Sequence, residues 1–243
     1  MAEPRGLAIV PALNEARTIA RVIDEIRAYD ARLEIVVVDD GSIDRTGELA
    51  RAAGARVLRL PFNLGIGGAV QTGFRHAREN EFDFAVRVDG DGQHDPAQLA
   101  AVVEPLLRGE ADIVVGSRYL SPGGRGFRSS VPRRMGIRIL AAIVSRLTGQ
   151  RITDPTSGFQ ALDRKAIALF AADYPHDYPE VEALVLLLRH RLRLMEVPIE
   201  MRPRTAGSSS IQTLSSGYYM VKVLLALLVG SFRRSPVPLE EGK

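Results

Sequence analysis

Between residues 7 and 115 the chain alternates short apolar, β-branched runs with longer stretches of helical period, and few architectures can absorb that rhythm. The apolar runs occupy residues 7–10, 34–38, 55–59, 84–88 and 113–115, and the helical stretches residues 18–29, 46–53, 68–78 and 96–107. Strand and helix in turn predict an α/β fold: a Rossmann-like, mostly parallel sheet with helices on both faces. Ligands of such sheets bind at the carboxyl ends of the strands. The loops leaving the strands are therefore where chemistry is expected.

At 243 residues the chain suffices for one catalytic domain with a short appendage, and 46% hydrophobic with 25% charged residues is ordinary globular composition. It has no cysteine, which excludes disulfides, thiolate metal sites and a cysteine nucleophile, so any metal must sit on oxygen or imidazole. A net charge of +3 is too small to require a nucleic-acid partner, but its distribution is uneven. Residues 113–153 contain no Asp or Glu while holding Arg118, Arg125, Arg128, Arg133, Arg134, Arg138, Arg146 and Arg151. Such a segment faces an anionic partner or bulk water. A Gly/Ser/Pro-rich loop over residues 121–132 suits a lid or a linker, and a basic amphipathic helix is expected over residues 133–147. A further helix over residues 181–189 and a strand over residues 194–200 follow.

Near the end, residues 218–232 are apolar except for Lys222 and are followed by Arg233 and Arg234. Fifteen residues fall short of the ~20 that span a bilayer, so this run is expected to lie in the membrane interface or to pack on the protein. The start of the chain lacks the apolar core of a secretory signal, which predicts a cytoplasmic location.

The loop Asp89-Gly90-Asp91-Gly92-Gln93-His94-Asp95-Pro96 carries the strongest chemical signal. A buried strand ends at Asp89, and the two-residue period places Asp89 and Asp91 on one side, with Gly90 allowing close approach of a ligand. Two carboxylates there make a hard-oxygen site for Mg²⁺ or Mn²⁺, and Gln93 can add another oxygen. Asp95 reads as a helix N-cap with Pro96 in the first turn, and His94 as a loop histidine. Asp39-Asp40-Gly41-Ser42 closes the second strand, where Asp39 can meet a nucleobase or ribose, or Ser42 or Asp44 can simply cap a helix. Asn14 and Glu15, after Pro11, carry the same ambiguity. The glycines around Gly67 resemble a dinucleotide fingerprint but do not follow the first strand, so they read as a tight turn and a helix packing surface.

Taken with Gly116-Ser117-Arg118-Tyr119 and Asp154-Pro155-Thr156-Ser157-Gly158-Phe159, these motifs resemble the family-two glycosyltransferases of the GT-A fold. Within them the chain is similar to polyprenyl-phosphate sugar synthases such as dolichol-phosphate mannose and glucose synthases. The resemblance extends over about residues 7–210, which defines a catalytic domain over residues 1–210 and a membrane-associated tail over residues 211–243. It implies inverting transfer of a sugar from a nucleotide diphosphate donor to a polyprenyl phosphate at the cytosolic membrane face. Pro11, Asn14, Glu15, Asp39, Asp40, Ser42, Gly67, Asp89, Gly90, Asp91 and Arg204 would contact the donor. Asp89, Asp91 and Gln93 would hold the metal, and Asp154, Asp91 and Arg118 would carry the chemistry. Arg118, Arg133, Arg134 and Ser157 would receive the acceptor phosphate.

A phosphate acceptor is already an anion, so it does not require a strong general base. Arg125 and Arg128 are assigned to an anionic membrane surface, with a homo-oligomer or a membrane partner protein as further company. Two departures stand out: Ser209 and Ser210 occupy positions where relatives carry lysine, and one short apolar run replaces complete membrane spans. The competing readings are a soluble glycosyltransferase acting on a glycan hydroxyl, with Asp154 as its base, and a regulator that binds nucleotide sugars without turnover. A nucleotidyltransferase shares the sheet and carboxylates but gives residues 154–159 no place.

Overall fold

The computed structural model describes residues 3–120, 131–175 and 179–202. Among the described residues seven strands form one sheet: β1 (Gly6–Ala12), β2 (Glu34–Asp39), β3 (Arg56–Arg59), β4 (Phe84–Arg87), β5 (Ile113–Ser117), β6 (Gln160–Asp163) and β7 (Leu194–Pro198). Their spatial order is β3-β2-β1-β4-β6-β5-β7. All neighbours are parallel except that β6 runs antiparallel to both β4 and β5. The expected mostly parallel sheet is thus present, with one reversed strand near its middle.

Both faces are covered, which explains the unbroken apolar strands. On β1, Leu7 and Ile9 enter one core layer and Ala8 and Val10 the other. Helices α1 (Ile19–Tyr29), α2 (Thr46–Ala52) and α4 (Leu99–Leu107) cover the face reached by Ala8 and Val10, through residues such as Ile23, Ala50 and Val102. Helices α3 (Gly65–Glu79), α5 (Val131–Thr148), α6 (Arg164–Ala172) and α7 (Pro179–Arg189) cover the opposite face, where Phe74, Phe170 and Tyr174 stack with ring centroids 4.9–5.5 Å apart. Helix α3 comes unusually close to β1, because a Cβ at Gly73 would stand 2.3 Å from Ile9 Cγ2. The glycine that makes this close packing on the sheet is Gly73, beyond the segment around Gly67 that the sequence singled out.

The structure differs from the sequence reading in one boundary and in two added elements. Residues 96–107 are a 3₁₀ turn, Pro96–Gln98, leading into α4, with Asp95 capping the Ala97 amide as expected. Strand β6 and helix α6 were not anticipated. Residues 160–163 form too short a run to show a period, and Asp163 makes the junction by capping α6 at the Ala166 amide.

Candidate active site

Strands β1, β2 and β4 end together, and their loops are bound to one another before any ligand is considered. The Asn14 amide donates to Ser42 Oγ, and Asn14 Oδ1 accepts from the Ile43 amide. Asn14 takes a left-handed φ of 56°, a conformation asparagine tolerates better than most residues. The Glu15 amide donates to Thr46 Oγ1. The Thr18 hydroxyl reaches across to the Gly90 carbonyl at 2.8 Å, tying the first loop to the acidic loop after β4. A Cβ at Gly90 would stand 3.2 Å from both Ala12 Cβ and the Pro11 oxygen, so this glycine is bare because the strand ends press together.

Asp39 is almost wholly buried; its Oδ1 accepts from the Ser42 amide and its Oδ2 lies 3.8 Å from Arg59 Nε. Asp40 accepts from the Leu64 amide at the start of α3, and burial, partly offset by that bond and the Gly65 amide, raises its pKa. Gly41, Ser42 and Ile43 with Arg59, Leu60 and Pro61 line an open cleft of about 590 Å³. Gly67 sits buried in the first turns of α3.

Asp89 and Asp91 leave the end of β4. Asp89 Oδ1 accepts from Arg87 Nε at 3.0 Å, and its amide donates to His94 Nδ1 at 3.0 Å. That bond makes Nδ1 the acceptor, which places the proton of neutral His94 on Nε2, 3.9 Å from Asp89 Oδ2. His94 is buried against Phe159, and burial lowers its pKa despite the opposing charges of Asp89 and Asp91. Burial works against ionised Asp89, but Arg87, His94 and Arg118 outweigh it and hold its pKa low. Asp91 Oδ1 accepts from the Gln93 amide, while the Gln93 side chain reaches the Arg202 carbonyl at 3.5 Å. Among the described residues no three His, Cys, Asp or Glu side chains converge as a complete metal cage. A pair of carboxylates on a glycine-rich loop nonetheless fits Mg²⁺ or Mn²⁺, which bind through one or two carboxylates and take their remaining oxygens from phosphate and water.

The other half of the site centres on Asp154, which is completely buried. Arg118, leaving β5, grips it bidentately, with Nε 2.6 Å from Oδ2 and Nη2 2.7 Å from Oδ1. The Arg118 amide and the Thr156 hydroxyl add further bonds to the same carboxylate. Burial opposes the Arg118 charge, yet the bonds to Asp154 prevail and raise its pKa. Behind the pair, Glu196 of β7 accepts from the Thr153 and Asp154 amides and the Thr153 hydroxyl. Burial raises the Glu196 pKa against those bonds. Ser157 is buried in the same turn, where its carbonyl accepts from Gln160 Nε2.

The structure therefore gathers Pro11, Asn14, Glu15, Asp39, Asp40, Ser42, Gly90, Asp89 and Asp91 at the edge formed by β1, β2 and β4, and pairs Arg118 with Asp154 beside them. Arg134 is exposed on α5, where Arg133 precedes it. Arg125, Arg128, Arg204 and the tail over residues 211–243 lie outside the described residues. Sequence reasoning missed Arg87, Glu196, Thr18 and the structural part of His94. A charge inside the apolar run of β4, and another inside β7, were the available signals, since a buried charge needs a partner.

A doubly covered sheet with a reversed strand beside β4, and an acidic pair on the loop that follows, defines a GT-A glycosyltransferase. The chain belongs to glycosyl transferase family 2, whose model matches residues 7–170. It is 33% identical over 228 residues to the undecaprenyl-phosphate mannosyltransferase of Micrococcus luteus, covering 90% of this chain and 92% of that protein. It is 30% identical to the UDP-N-acetylglucosamine--dolichyl-phosphate N-acetylglucosaminyltransferase of Methanococcus voltae, over 82% of this chain and 86% of the relative. Among solved structures it resembles glucosyl-3-phosphoglycerate synthase from Mycobacterium tuberculosis in complex with Mn²⁺, UDP and glucosyl-3-phosphoglycerate. That likeness has a TM-score of 0.71 and 25% identity, and covers 96% of this chain and 82% of the other.

Proposed function

We propose that this glycosyltransferase moves a sugar, with inversion, from a nucleotide diphosphate to a polyprenyl phosphate at the inner membrane face. The observation that carries this reading is the state of Asp154. Both its oxygens accept from Arg118 and it has no exposed surface. A carboxylate so engaged is poorly placed to take a proton from a sugar hydroxyl, whereas a phosphate acceptor is already ionised. This favours the lipid-phosphate reading over a glycan-hydroxyl acceptor, and the names of the relatives point the same way. In this reading Asp154 fixes Arg118, and Arg118 with Arg133 and Arg134 presents positive charge to the incoming phosphate.

Asp89 and Asp91 would hold Mg²⁺ or Mn²⁺, which supplies charge neutralisation on the donor diphosphate as the glycosidic bond breaks. Ser42 lines the cleft assigned to the nucleoside, with Asp39 and Asp40 just before it at the end of β2, and the Thr18 bond to Gly90 keeps the nucleoside and metal loops in register. The site is read as belonging to a domain over residues 1–210, with residues 211–243 against the membrane.

The membrane reading is supported by α5. Its buried side is Ile137, Leu140, Ala141 and Val144, while Met135, Ile139 and Leu147 are exposed among Arg134, Arg138 and Arg146. Apolar side chains at headgroup depth with arginines around them suit an anionic lipid surface. No helix among the described residues is long and apolar enough to cross a membrane.

The test is a panel of radiolabelled nucleotide sugars offered to the chain with a short polyprenyl phosphate and Mn²⁺. Label is expected in the lipid-soluble product. Efficient labelling of a glycan hydroxyl with none in lipid would favour the soluble alternative. Calorimetry should also show that Asp91→Ala loses metal-dependent nucleotide binding, and unchanged binding would remove the metal assignment.

A further inference from the structure

Arg87 is a guanidinium inside an otherwise apolar strand, 2% exposed, and two carboxylates contend for it. Its Nε donates to Asp89 Oδ1 at 3.0 Å, and its Nη1 stands 3.0 Å from Glu180 Oε1 in the first turn of α7. The two contacts are not equivalent. Toward Asp89 the guanidinium makes a well-aligned hydrogen bond, whereas Nη1 meets Glu180 as an ion pair of poorer hydrogen-bond alignment. The buried Tyr174 hydroxyl lies in the same cluster, where it interacts with both Arg87 and Glu180. Gly158 provides the space for this arrangement, since a Cβ there would lie 2.8 Å from Arg87 Nη2. The cluster thus holds a donor, an acceptor and a hydroxyl that a modest turn of Arg87 away from Asp89 would bring into register.

We infer that Glu180, assisted by Tyr174, receives Arg87 when Asp89 turns to a divalent cation, which makes Glu180 a positioning residue that sets metal affinity. The inference rests on the assignment of Asp89 and Asp91 as the metal pair. An arginine on Asp89 Oδ1 competes with a cation for the same carboxylate, and a bound dication repels the guanidinium behind it. Glu180 offsets that repulsion and keeps the displaced guanidinium paired, as a buried charge must be. Its side chain is 19% exposed and pairs with Arg87, so it acts on Asp89 at one remove.

The experiment is Mn²⁺ binding to the full chain, followed by the electron paramagnetic resonance signal of the free ion, with Mn²⁺ alone, with UDP and with GDP. Groups behind a metal ligand commonly change affinity by about 10–100-fold, so Glu180→Gln is expected to raise the Mn²⁺ Kd by roughly tenfold or more. Glu180→Asp should recover part of the loss, and Tyr174→Phe should weaken binding by about threefold, the smaller effect fitting one neutral hydroxyl. A merely structural role would lower the melting temperature and leave the Mn²⁺ Kd of the folded protein unchanged. Glu180→Gln binding Mn²⁺ within about twofold of the parent overturns the inference. Should that variant not fold, unchanged affinity in Tyr174→Phe overturns it instead. If the parent chain itself binds no Mn²⁺ in any of the three conditions, the metal assignment fails and the inference with it. Tight binding by the parent and by Glu180→Gln alike defeats only the inference.

Discussion

Replacing Asp154 by asparagine separates a pair that holds two halves of the site together, and the size of the effect follows from burial. The Arg118 side chain is 8% exposed and that of Asp154 0%, so water cannot take over the role of the lost carboxylate. Breaking a buried ion pair from one side costs about 3–5 kcal/mol, because the surviving charge stays buried without compensation. The asparagine oxygen still accepts one Arg118 bond, which favours the lower end. A domain of this size loses about 2–4 °C of melting temperature per kcal/mol, giving a fall between about 6 and 20 °C. Differential scanning calorimetry of Asp154→Asn measures it, and the double variant Arg118→Met with Asp154→Leu should recover much of the loss. A single variant that melts within about 2 °C of the parent would show that the pair is solvated in solution and would refute the reasoning. It would also return Asp154 to consideration as a base.

Further expectations follow from other contacts. Gly73→Ala should destabilise the fold by about 1–3 kcal/mol, because the added methyl meets Ile9; urea denaturation reads it, and an unchanged midpoint would mean that α3 does not approach β1 so closely. His94 is held neutral below its ordinary pKa of 6.5, so the unfolded chain takes up the proton first as pH falls. Its contribution to stability is fully present above about pH 6.5 and is lost as pH drops toward the lowered folded value. His94→Asn, which keeps an acceptor for the Asp89 amide, should flatten the fall in melting temperature between about pH 6.5 and 5. The residual slope belongs in part to His76, which burial depresses in the same sense. Arg138→Gln with Arg146→Gln should weaken sedimentation with phosphatidylserine vesicles by roughly thirtyfold, at ~1 kcal/mol per arginine, and high salt should erase the difference. Equal binding by parent and variant would detach α5 from the membrane reading.

How far the sequence could be read depended on whether a feature was local. The apolar runs of β1, β2, β4 and β5 announce themselves because they are buried almost throughout, and the helices between them because one face is buried and the other exposed. The Asp89-Gly90-Asp91 motif is likewise local, and its position after β4 follows from the run that precedes it. Partnership across the chain is not local. That Arg118 spends its fork on Asp154, 36 residues away, depends on β5 and β6 lying side by side, which no periodicity states. Sequence reasoning placed both residues in the site but gave no sign that Asp154 grips the Arg118 fork. His94 read as a loop residue because histidine in a turn is common, and only the close approach of its ring to Phe159 and the Asp89 amide gives it a structural role.

The reversed strand β6 is what allows the two halves of the site to meet. In a wholly parallel sheet the ligand loops follow the strands, and a segment preceding a strand arrives at the opposite edge. Residues 154–159 precede β6, so in a parallel sheet Asp154 would lie a strand's length from Asp89. Because β6 runs antiparallel to β4 and β5, its first residue, Gln160, pairs with Arg87 at the end of β4 and with Val115 near the end of β5. The turn before β6 is thereby delivered to the edge where Asp89 and Arg118 emerge. Gly158 then passes against the Arg87 guanidinium, and Phe159 against His94, so the turn over residues 154–159 packs directly on the two residues that hold Asp89. A change in the seating of Arg87 consequently reaches Asp154 through one turn of backbone, which provides a physical route between the Asp89 loop and the Arg118–Asp154 pair.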